Sequence, residues 1–468
     1  MAENVREIAL DTLLALEREK DYSNRLIRAV LDKYDYLEQR DKAFLKRLTE
    51  GTLERQLELD YYLDQFSSLP VRKMKPLIRC LLRMSLYQLL YMDSVPDSAV
   101  CNEACKLAAK RGFGSLKGFV NGVLRKLSRQ KGELPLPDQA LEPLKYLSVK
   151  YSMPEWIVKI WLKEYGGEIT ETLLEGLMRI HPVHLRFRTD LSKEQLFTLK
   201  SKLEENGAEP AQSSYLPYLC TIKPGESVER LPGFGEGLYT VQDISSALAV
   251  EAADIHPGDF VIDACAAPGG KSLLAAEKAG RVLAQDLTEE KTELIREAAL
   301  RMKVDNIQIR VHDATVYDDN LKESADVVLL DVPCSGLGVI GKKRDIKYRV
   351  TKEGLESLVS LQRDIVNTCS QYVKPGGILV YSTCTINTRE NEEMVRYLTE
   401  ELAFEPQPLD KVLPRKVMED RELVEQKRLS CGRELSTGLD ESQKRACIQL
   451  LPGYMEGDGF FIARFRKP

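Results

Sequence analysis

Residues 260–272 have the sequence Phe-Val-Ile-Asp-Ala-Cys-Ala-Ala-Pro-Gly-Gly-Lys-Ser, and this stretch decides the predicted fold. Its first four residues form a short apolar run that predicts a buried strand. The glycines before Lys271 predict a tight turn into a helix, and glycines at such a turn let a ligand approach the backbone closely. The stretch therefore predicts the first strand and the ligand-binding turn of an α/β sheet.

Four further short apolar runs follow, at residues 281–286, 307–311, 326–331 and 377–382, and helices are predicted between most of them. Short strands that are apolar throughout are typical of a sheet covered by helices on both faces. We therefore predict an α/β fold with a doubly wound, mostly parallel, Rossmann-like sheet. Ligands of such sheets bind at the carboxyl ends of the strands.

The remaining segments have other patterns. Residues 1–132 show apolar residues at spacings of three and four, which predicts an all-helical domain. Residues 133–146 carry three prolines and are predicted to be a linker. Residues 147–235 alternate strand and helix patterns, which predicts a small α+β subdomain, and residues 236–468 form the sheet domain.

Composition excludes several classes of protein. The chain has 468 residues, a net charge of −5, and no apolar run near the roughly 20 residues of a membrane span. Its N-terminus lacks the pattern of a signal peptide. Ten cysteines without a C-x-x-C pair and four scattered histidines predict free thiols and no metal site. We expect a cytoplasmic protein without a membrane partner.

One region is strongly basic despite the acidic total. Residues 71–131 contain thirteen basic and three acidic side chains. Arg125, Lys126 and Arg129 lie beside an apolar stripe of the last predicted helix. A solvated helix face would explain them, and so would a nucleic-acid surface, which the local excess of positive charge favours.

The strand ends indicate the cofactor. A Walker A loop would need glycine at the position of Cys265, and the G-x-G-x-x-G fingerprint is absent, so nucleotide phosphates are disfavoured. The next three strands are followed by Asp286, Asp313 and Asp331. Carboxylates there can accept hydrogen bonds from ribose hydroxyls and an adenine amino group. A nucleoside cofactor without a phosphate tail fits, and S-adenosylmethionine is one.

Two cysteines stand at adjacent predicted strand ends, Cys334 after the fourth strand and Cys384 after the fifth. A lone cysteine is usually a small buried hydrophobe, but these two loops should converge on one crevice. A thiolate that adds to carbon 6 of cytosine makes carbon 5 nucleophilic, and a second group can then assist release. Asp331 can stabilise charge on the ring. Enzymes that methylate exocyclic nitrogen commonly carry Asp/Asn-Pro-Pro-Tyr/Phe here, whereas this chain has Asp-Val-Pro-Cys.

These motifs resemble those of the NOL1/NOP2/Sun family of RNA 5-methylcytosine methyltransferases. The matching stretches are residues 265–271, 331–338, 382–385 with 390–392, and 457–464. The resemblance implies that Cys384 is the nucleophile and that Cys334 serves release. It further implies S-adenosylmethionine binding by Cys265, Ala266, Ala267, Pro268, Gly269, Gly270, Lys271, Asp286, Asp313 and Asp331.

The N-terminal helices resemble a NusB-like RNA-binding domain, through residues 95–104 and 118–127. A NusB-like domain followed by these methyltransferase motifs marks the Sun branch of the family. The resemblance implies one cytosine of 16S ribosomal RNA as the substrate, with RNA and not DNA as the partner. Lys271 and Lys347 are candidate contacts to RNA phosphate or base. Residues 341–349 depart from the family pattern by lacking His-Pro before Asp-Ile-Lys, and residues 405–450 show no pattern that we can interpret.

Two alternatives remain open at this level. The enzyme could methylate a nitrogen of RNA or protein, which the position of the methyl group would reveal. The chain could also be a NusB-like binding factor that keeps an inactive methyltransferase fold, which its affinity for S-adenosylmethionine would reveal.

Overall fold

The structure is a computed structural model, and it describes residues 4–18, 23–179, 181–223, 227–430 and 438–468. The chain forms two compact units. The helical unit comprises Met1–Lys163 and Lys343–Arg349, and the sheet unit comprises Glu164–Lys342 and Val350–Pro468. The finer division at residues 132, 146 and 235 stays a prediction.

The helices are α1 Val5–Arg18, α2 Ser23–Lys33, α3 Gln39–Glu54, α4 Gln56–Phe66, α5 Pro76–Tyr91, α6 Asp97–Lys110, α7 Lys117–Gln130, α8 Pro143–Lys150, α9 Glu155–Met178, α10 Lys193–Glu205, α11 Ile244–Glu251, α12 Gly270–Ala276, α13 Glu289–Met302, α14 Ile346–Arg349, α15 Lys352–Cys369, α16 Glu392–Arg396, α17 Arg415–Ser430 and α18 Glu441–Ala446. The strands are β1 Val183–Phe187, β2 Ala211–Gln212, β3 Leu219–Ile222, β4 Tyr239–Val241, β5 Phe260–Asp263, β6 Arg281–Asp286, β7 Ile307–Val311, β8 Ala325–Asp331, β9 Val373–Thr383, β10 Glu405–Pro406, β11 Cys447–Leu450 and β12 Phe460–Arg466.

The helical unit is organised around α5. This helix begins with Pro76, whose fixed φ suits the first helical turn, and it buries apolar side chains on nearly every side. Helices α1, α3, α4, α6 and α7 contribute to the same core, as the apolar spacing predicts.

Residues 343–349 belong to the helical unit although the sheet unit precedes and follows them in sequence. Asp345 accepts hydrogen bonds from the backbone N–H of Ser23 at 3.0 Å and from its hydroxyl at 2.6 Å. Arg344 forms ion pairs with Glu50 and Glu54. These polar contacts explain why this short segment folds with the helices.

The sheet unit contains a small antiparallel sheet with the order β2-β3-β1-β4. Helix α10 covers it with Leu199 and Leu203, which share a core with Leu185 and Phe187 of β1. Ser192 begins α10 with a capping box, and Gly207 follows the helix with a φ of 80°. The predicted combination of strands and helix in this region is therefore confirmed.

The large sheet has the order β10-β12-β9-β8-β5-β6-β7, and β11 also pairs with β12. Strands β9, β8, β5, β6 and β7 are parallel, which confirms the predicted Rossmann-like fold. Val327 and Leu329 of β8 face one core and Val328 and Leu330 face another. The sheet is therefore covered on both faces.

Strand β12 is an antiparallel strand that the sequence pattern did not predict, and it pairs with β9 from Phe461↔Thr383 to Arg466↔Ile378. Strand β5 has neighbours β6 and β8, so the chain reverses its direction of winding there. Such a switch point leaves a crevice at the carboxyl ends of the strands. In the described residues, we find no helix with the length and apolar character needed to cross a membrane.

Candidate active site

The turn after β5 lies at this crevice. Gly269 has a φ of 104°, a left-handed conformation that favours glycine, and α12 begins at the next residue. The backbone N–H of Ala267 donates to Asp286 Oδ2 at 2.9 Å, and that of Ala266 donates to the Gln285 carbonyl at 2.9 Å. The end of β6 therefore holds Ala266 and Ala267 in the turn, which the family resemblance predicts to bind the cofactor.

Two buried acceptors beside the turn have no hydrogen-bond partner in the described residues, Asp263 Oδ1 and Gln242 Oε1. The other oxygen of Asp263 accepts from the Ser272 hydroxyl at 2.6 Å. A Cβ on Gly270 would lie 3.3 Å from the Gln242 side-chain amide carbon, so Gln242 packs directly against the turn. Burial raises the pKa of Asp263 to about 6, although the bond from Ser272 opposes the shift.

These unpaired acceptors fit a cationic group with several N–H donors, because buried acceptors without partners cost free energy. The α-ammonium of S-adenosylmethionine is such a group. Gln242 and Asp263 were not singled out from the sequence. Their signals were an acidic residue ending the first strand and a polar residue just before the cap of α11.

Asp286 and Asp313 occupy different surroundings. Asp286 is buried, and its carboxylate accepts from Ala267, from its neighbour Leu287 and from the Lys291 ammonium. Asp313 is exposed, and Oδ1 accepts from the backbone N–H and hydroxyl of Thr315. These bonds, led by the backbone one, lower the pKa of Asp313.

Asp331 ends β8 and binds two partners. Lys271 Nζ lies 2.6 Å from Oδ2, and the Ser382 hydroxyl donates to Oδ1 at 3.0 Å. Burial alone would lower the pKa of Lys271, but the carboxylate of Asp331 outweighs burial and raises it. Lys271 is therefore a cation that links the turn after β5 to the end of β8.

The two thiols are in contact. Cys334 Sγ and Cys384 Sγ are 3.2 Å apart, and both residues are partly exposed. The hydrogen bond with Cys384 and then burial raise the pKa of Cys334 well above its usual value. Two thiols at this distance do not readily both ionise.

Two other candidate residues from the sequence, Cys265 and Lys347, have buried surroundings. The Cys265 side chain packs against the core beneath the sheet, and burial raises its pKa well above the usual value. Lys347 is 1% exposed and donates to the Glu54 carbonyl at 2.8 Å, so the prediction that it contacts RNA is wrong. Burial lowers the pKa of Lys347 to about 7. Among the described residues, no cluster of His, Cys, Asp and Glu could hold a metal ion.

The parallel sheet, its glycine turn and the acidic strand ends together define a Rossmann-like methyltransferase whose cofactor is S-adenosylmethionine. Comparisons with known proteins specify the family. Residues 250–466 match the model of the 16S rRNA methyltransferase RsmB/F family, and residues 3–129 match that of the NusB family.

Relatives that match this chain over almost its whole length support the same family. The probable ribosomal RNA small subunit methyltransferase B of Bacillus subtilis is 36% identical, and the match covers 99% of each chain. The corresponding Synechocystis protein is 30% identical, again over 99% of each chain. The crystal structure of PH0851 has a TM-score of 0.76 over 100% of both chains at 24% identity, which shows a shared fold. The chain therefore belongs to the ribosomal RNA small subunit methyltransferase B family.

Proposed function

We propose that this protein is an S-adenosylmethionine-dependent RNA (cytosine-5)-methyltransferase that modifies one cytosine of 16S ribosomal RNA. The observation that carries the proposal is the contact between the Cys334 and Cys384 sulfurs beside the Lys271–Asp331 pair. A methyltransferase that modifies an exocyclic nitrogen has no need of a thiol nucleophile, because that nitrogen can attack by itself.

The cofactor would be held by residues 265–271 and by the acidic strand ends. Asp286 would accept hydrogen bonds from the ribose hydroxyls, and Asp313 would accept one from the adenine amino group. When bound, S-adenosylmethionine supplies an electrophilic methyl group. Residues Cys265, Ala266, Ala267, Pro268, Gly269 and Gly270 would contribute through the backbone of the turn.

The protein's own groups then act on the cytosine. The Cys384 thiolate adds to carbon 6, and the electron pair of the ring double bond becomes available at carbon 5, which receives the methyl group. Asp331 and Lys271 would stabilise charge at the ring nitrogen and amino group. Cys334 then assists release by accepting the carbon 5 proton, the electron pair of that C–H bond restores the ring double bond, and Cys384 leaves carbon 6 as a thiolate.

RNA would dock on the basic face of the helical unit. Lys117, Arg125, Lys126 and Arg129 of α7 are exposed, and no carboxylate of the described residues pairs with them. By contrast, Lys110 pairs with Glu7. Unpaired cations on one helix suit a phosphate backbone, and the target cytosine would leave its stack to enter the crevice.

Free thiols in the described chain also agree with a cytoplasmic protein.

The test is the position of the methyl group. Purified protein is incubated with unmodified 16S ribosomal RNA and S-adenosylmethionine, and the RNA is digested to nucleosides for mass spectrometry. We expect 5-methylcytidine, and we expect none with Cys384→Ala, which should still bind the cofactor in calorimetry. Cys105→Ala, a half-buried thiol of the helical unit, is the control and should keep activity. A product of N4-methylcytidine, or full activity of Cys384→Ala, would contradict the proposal.

A further inference from the structure

A buried carboxylate connects the two loops that carry the thiols. We name residues 332–338 the Cys334 loop and residues 384–391 the Cys384 loop. Glu390 is 0% exposed, and its carboxylate accepts four hydrogen bonds. Oε1 accepts from the Ser335 backbone N–H at 2.9 Å and from Gln362 Nε2 at 3.0 Å. Oε2 accepts from the Ser335 hydroxyl at 2.6 Å and from Asn387 Nδ2 at 2.8 Å.

These donors come from three parts of the sheet unit. Ser335 is the residue after Cys334, Asn387 lies three residues after Cys384, and Gln362 belongs to α15. Gln362 also donates to the Pro333 carbonyl at 2.9 Å, next to Cys334. Glu390 therefore binds the Cys334 loop on one side and its own Cys384 loop on the other.

Direct hydrogen bonds also join the two loops. The hydroxyls of Ser335 and Thr385 are 2.6 Å apart, and the Gly338 N–H donates to the Cys384 carbonyl at 3.0 Å. The Ser335 hydroxyl is thus held between Glu390 and the residue that follows Cys384. If Ser335 moved, the neighbouring Cys334 thiol would move away from Cys384.

The choice of a carboxylate also needs a reason. No cation among the described residues pairs with Glu390, and burying an unpaired charge is costly. A glutamine of the same shape would avoid that cost, but its amide N–H groups would then face other hydrogen-bond donors instead of acceptors. Only an ionised carboxylate accepts all four bonds without offering a donor.

We propose that Glu390 is a positioning residue that sets the distance between the Cys334 and Cys384 thiols by binding both loops. The proposal rests on the proposed function, in which the two thiols act on the same cytosine. Glu390 would not touch the substrate, and its effect would reach the reaction through Ser335 and the Cys334 loop.

The first test is steady-state kinetics of Glu390→Gln with 16S ribosomal RNA. We expect kcat to fall about 100-fold, because a misplacement near 1 Å has effects of this size. The KM for RNA and the Kd for S-adenosylmethionine should change less than about threefold, since Glu390 binds neither. Glu392→Gln is the matched control, because Glu392 is also buried and no hydrogen bond to the two loops is found for it in the described chain.

The second test measures the distance between the thiols without RNA. Diamide converts two nearby thiols into a disulfide and takes up the two electrons and two protons. Mass spectrometry of the digested protein then follows the Cys334–Cys384 crosslink, a loss of two hydrogen atoms. We expect the crosslink to form readily in wild type and in Glu392→Gln, and about tenfold more slowly in Glu390→Gln.

A double variant tests the route of the effect. Ser335→Ala should slow crosslinking by itself, and Glu390→Gln added to it should cause little further loss, because the two residues act as one unit. If Glu390→Gln does not fold in a thermal-unfolding control, Ser335→Ala carries the same test. Unchanged kcat and crosslinking in Glu390→Gln, or an equal loss in Glu392→Gln, would overturn the proposal. Activity of Cys384→Ala would instead overturn the proposed function and leave the crosslinking result standing.

Discussion

Gly338 offers a sharp test of how closely the thiol loops must pack. Its N–H donates to the Cys384 carbonyl at 3.0 Å, and its own carbonyl accepts from the Gly459 N–H at 2.9 Å. A Cβ at position 338 would lie 1.8 Å from the Gly459 carbonyl oxygen and 2.5 Å from its carbonyl carbon. Both atoms belong to the backbone, so no side chain can swing aside to make room.

The magnitude follows from these distances. A carbon and an oxygen in van der Waals contact are about 3.3 Å apart, so Gly338→Ala must separate the two backbones by roughly 1.5 Å. Overpacking of this kind costs about 1–3 kcal/mol of folding free energy. The hydrogen bond to Cys384 should lengthen with the shift. We therefore expect kcat to fall about 100-fold, because the reacting groups lose their alignment.

The assay combines methyl transfer to 16S ribosomal RNA with thermal unfolding of the same preparations. Gly167→Ala is the matched control, since a Cβ there has no neighbour within 4 Å and the residue is exposed on α9. It should leave kcat unchanged. A Gly338→Ala protein with wild-type kcat and stability would refute the packing argument.

Three further predictions concern other parts of the chain. Burial lowers the pKa of Lys347 to about 7, whereas the ordinary pKa of a lysine is 10.5. Between pH 7 and pH 10.5 the unfolded chain therefore binds one more proton than the folded chain, and the free energy of unfolding should rise with pH across this range. Lys347→Met should therefore raise the free energy of unfolding at pH 7 by about 2 kcal/mol, a value that already allows for the lost hydrogen bond, and it should flatten the pH dependence of stability. Lys343 is exposed, so the control Lys343→Met should change neither quantity. Gln242→Met should weaken S-adenosylmethionine binding in calorimetry about tenfold and leave 5′-methylthioadenosine, which lacks the amino-acid group, unaffected; equal losses for both ligands would argue against an ammonium contact. Replacing Arg125 and Arg129 together by alanine should weaken RNA binding and lower the number of counterions released on binding by about two, as measured from the salt dependence of the affinity. An unchanged salt dependence would exclude this face from RNA binding.

Strands β5, β6 and β8 were predictable because each contains a short run of apolar residues and ends in an aspartate. Val327 to Leu330 are buried on both faces of β8, which produces a continuous apolar run without alternation. Strand β12 was harder to predict, since its sequence Phe-Phe-Ile-Ala-Arg-Phe-Arg includes the buried Arg464 and follows a region of unfamiliar pattern. Its position next to β9 depends on long-range pairing.

The candidate site was partly predictable for the same reason. Asp331, Cys334 and Cys384 follow adjacent parallel strands, whose carboxyl ends meet at one edge. Sequence spacing could not reveal the partners of Glu390, because three of its four hydrogen bonds come from residues 28 or more positions away. It could not reveal that Lys347 is buried either, because the contacts of that residue lie in helices almost 300 positions earlier.

Covalent catalysis by Cys384 is the central claim, and trapping the adduct tests it most directly. The Cys334→Ala protein is incubated with S-adenosylmethionine and labelled 16S ribosomal RNA, and the mixture is run on a denaturing gel. Because Cys334 assists release, its loss should leave the RNA bonded to Cys384 as a slowly migrating band, and Cys384→Ala in the same protein should remove that band. A Cys334→Ala protein that gives no such band, or a band that persists without Cys384, would contradict the proposed nucleophile.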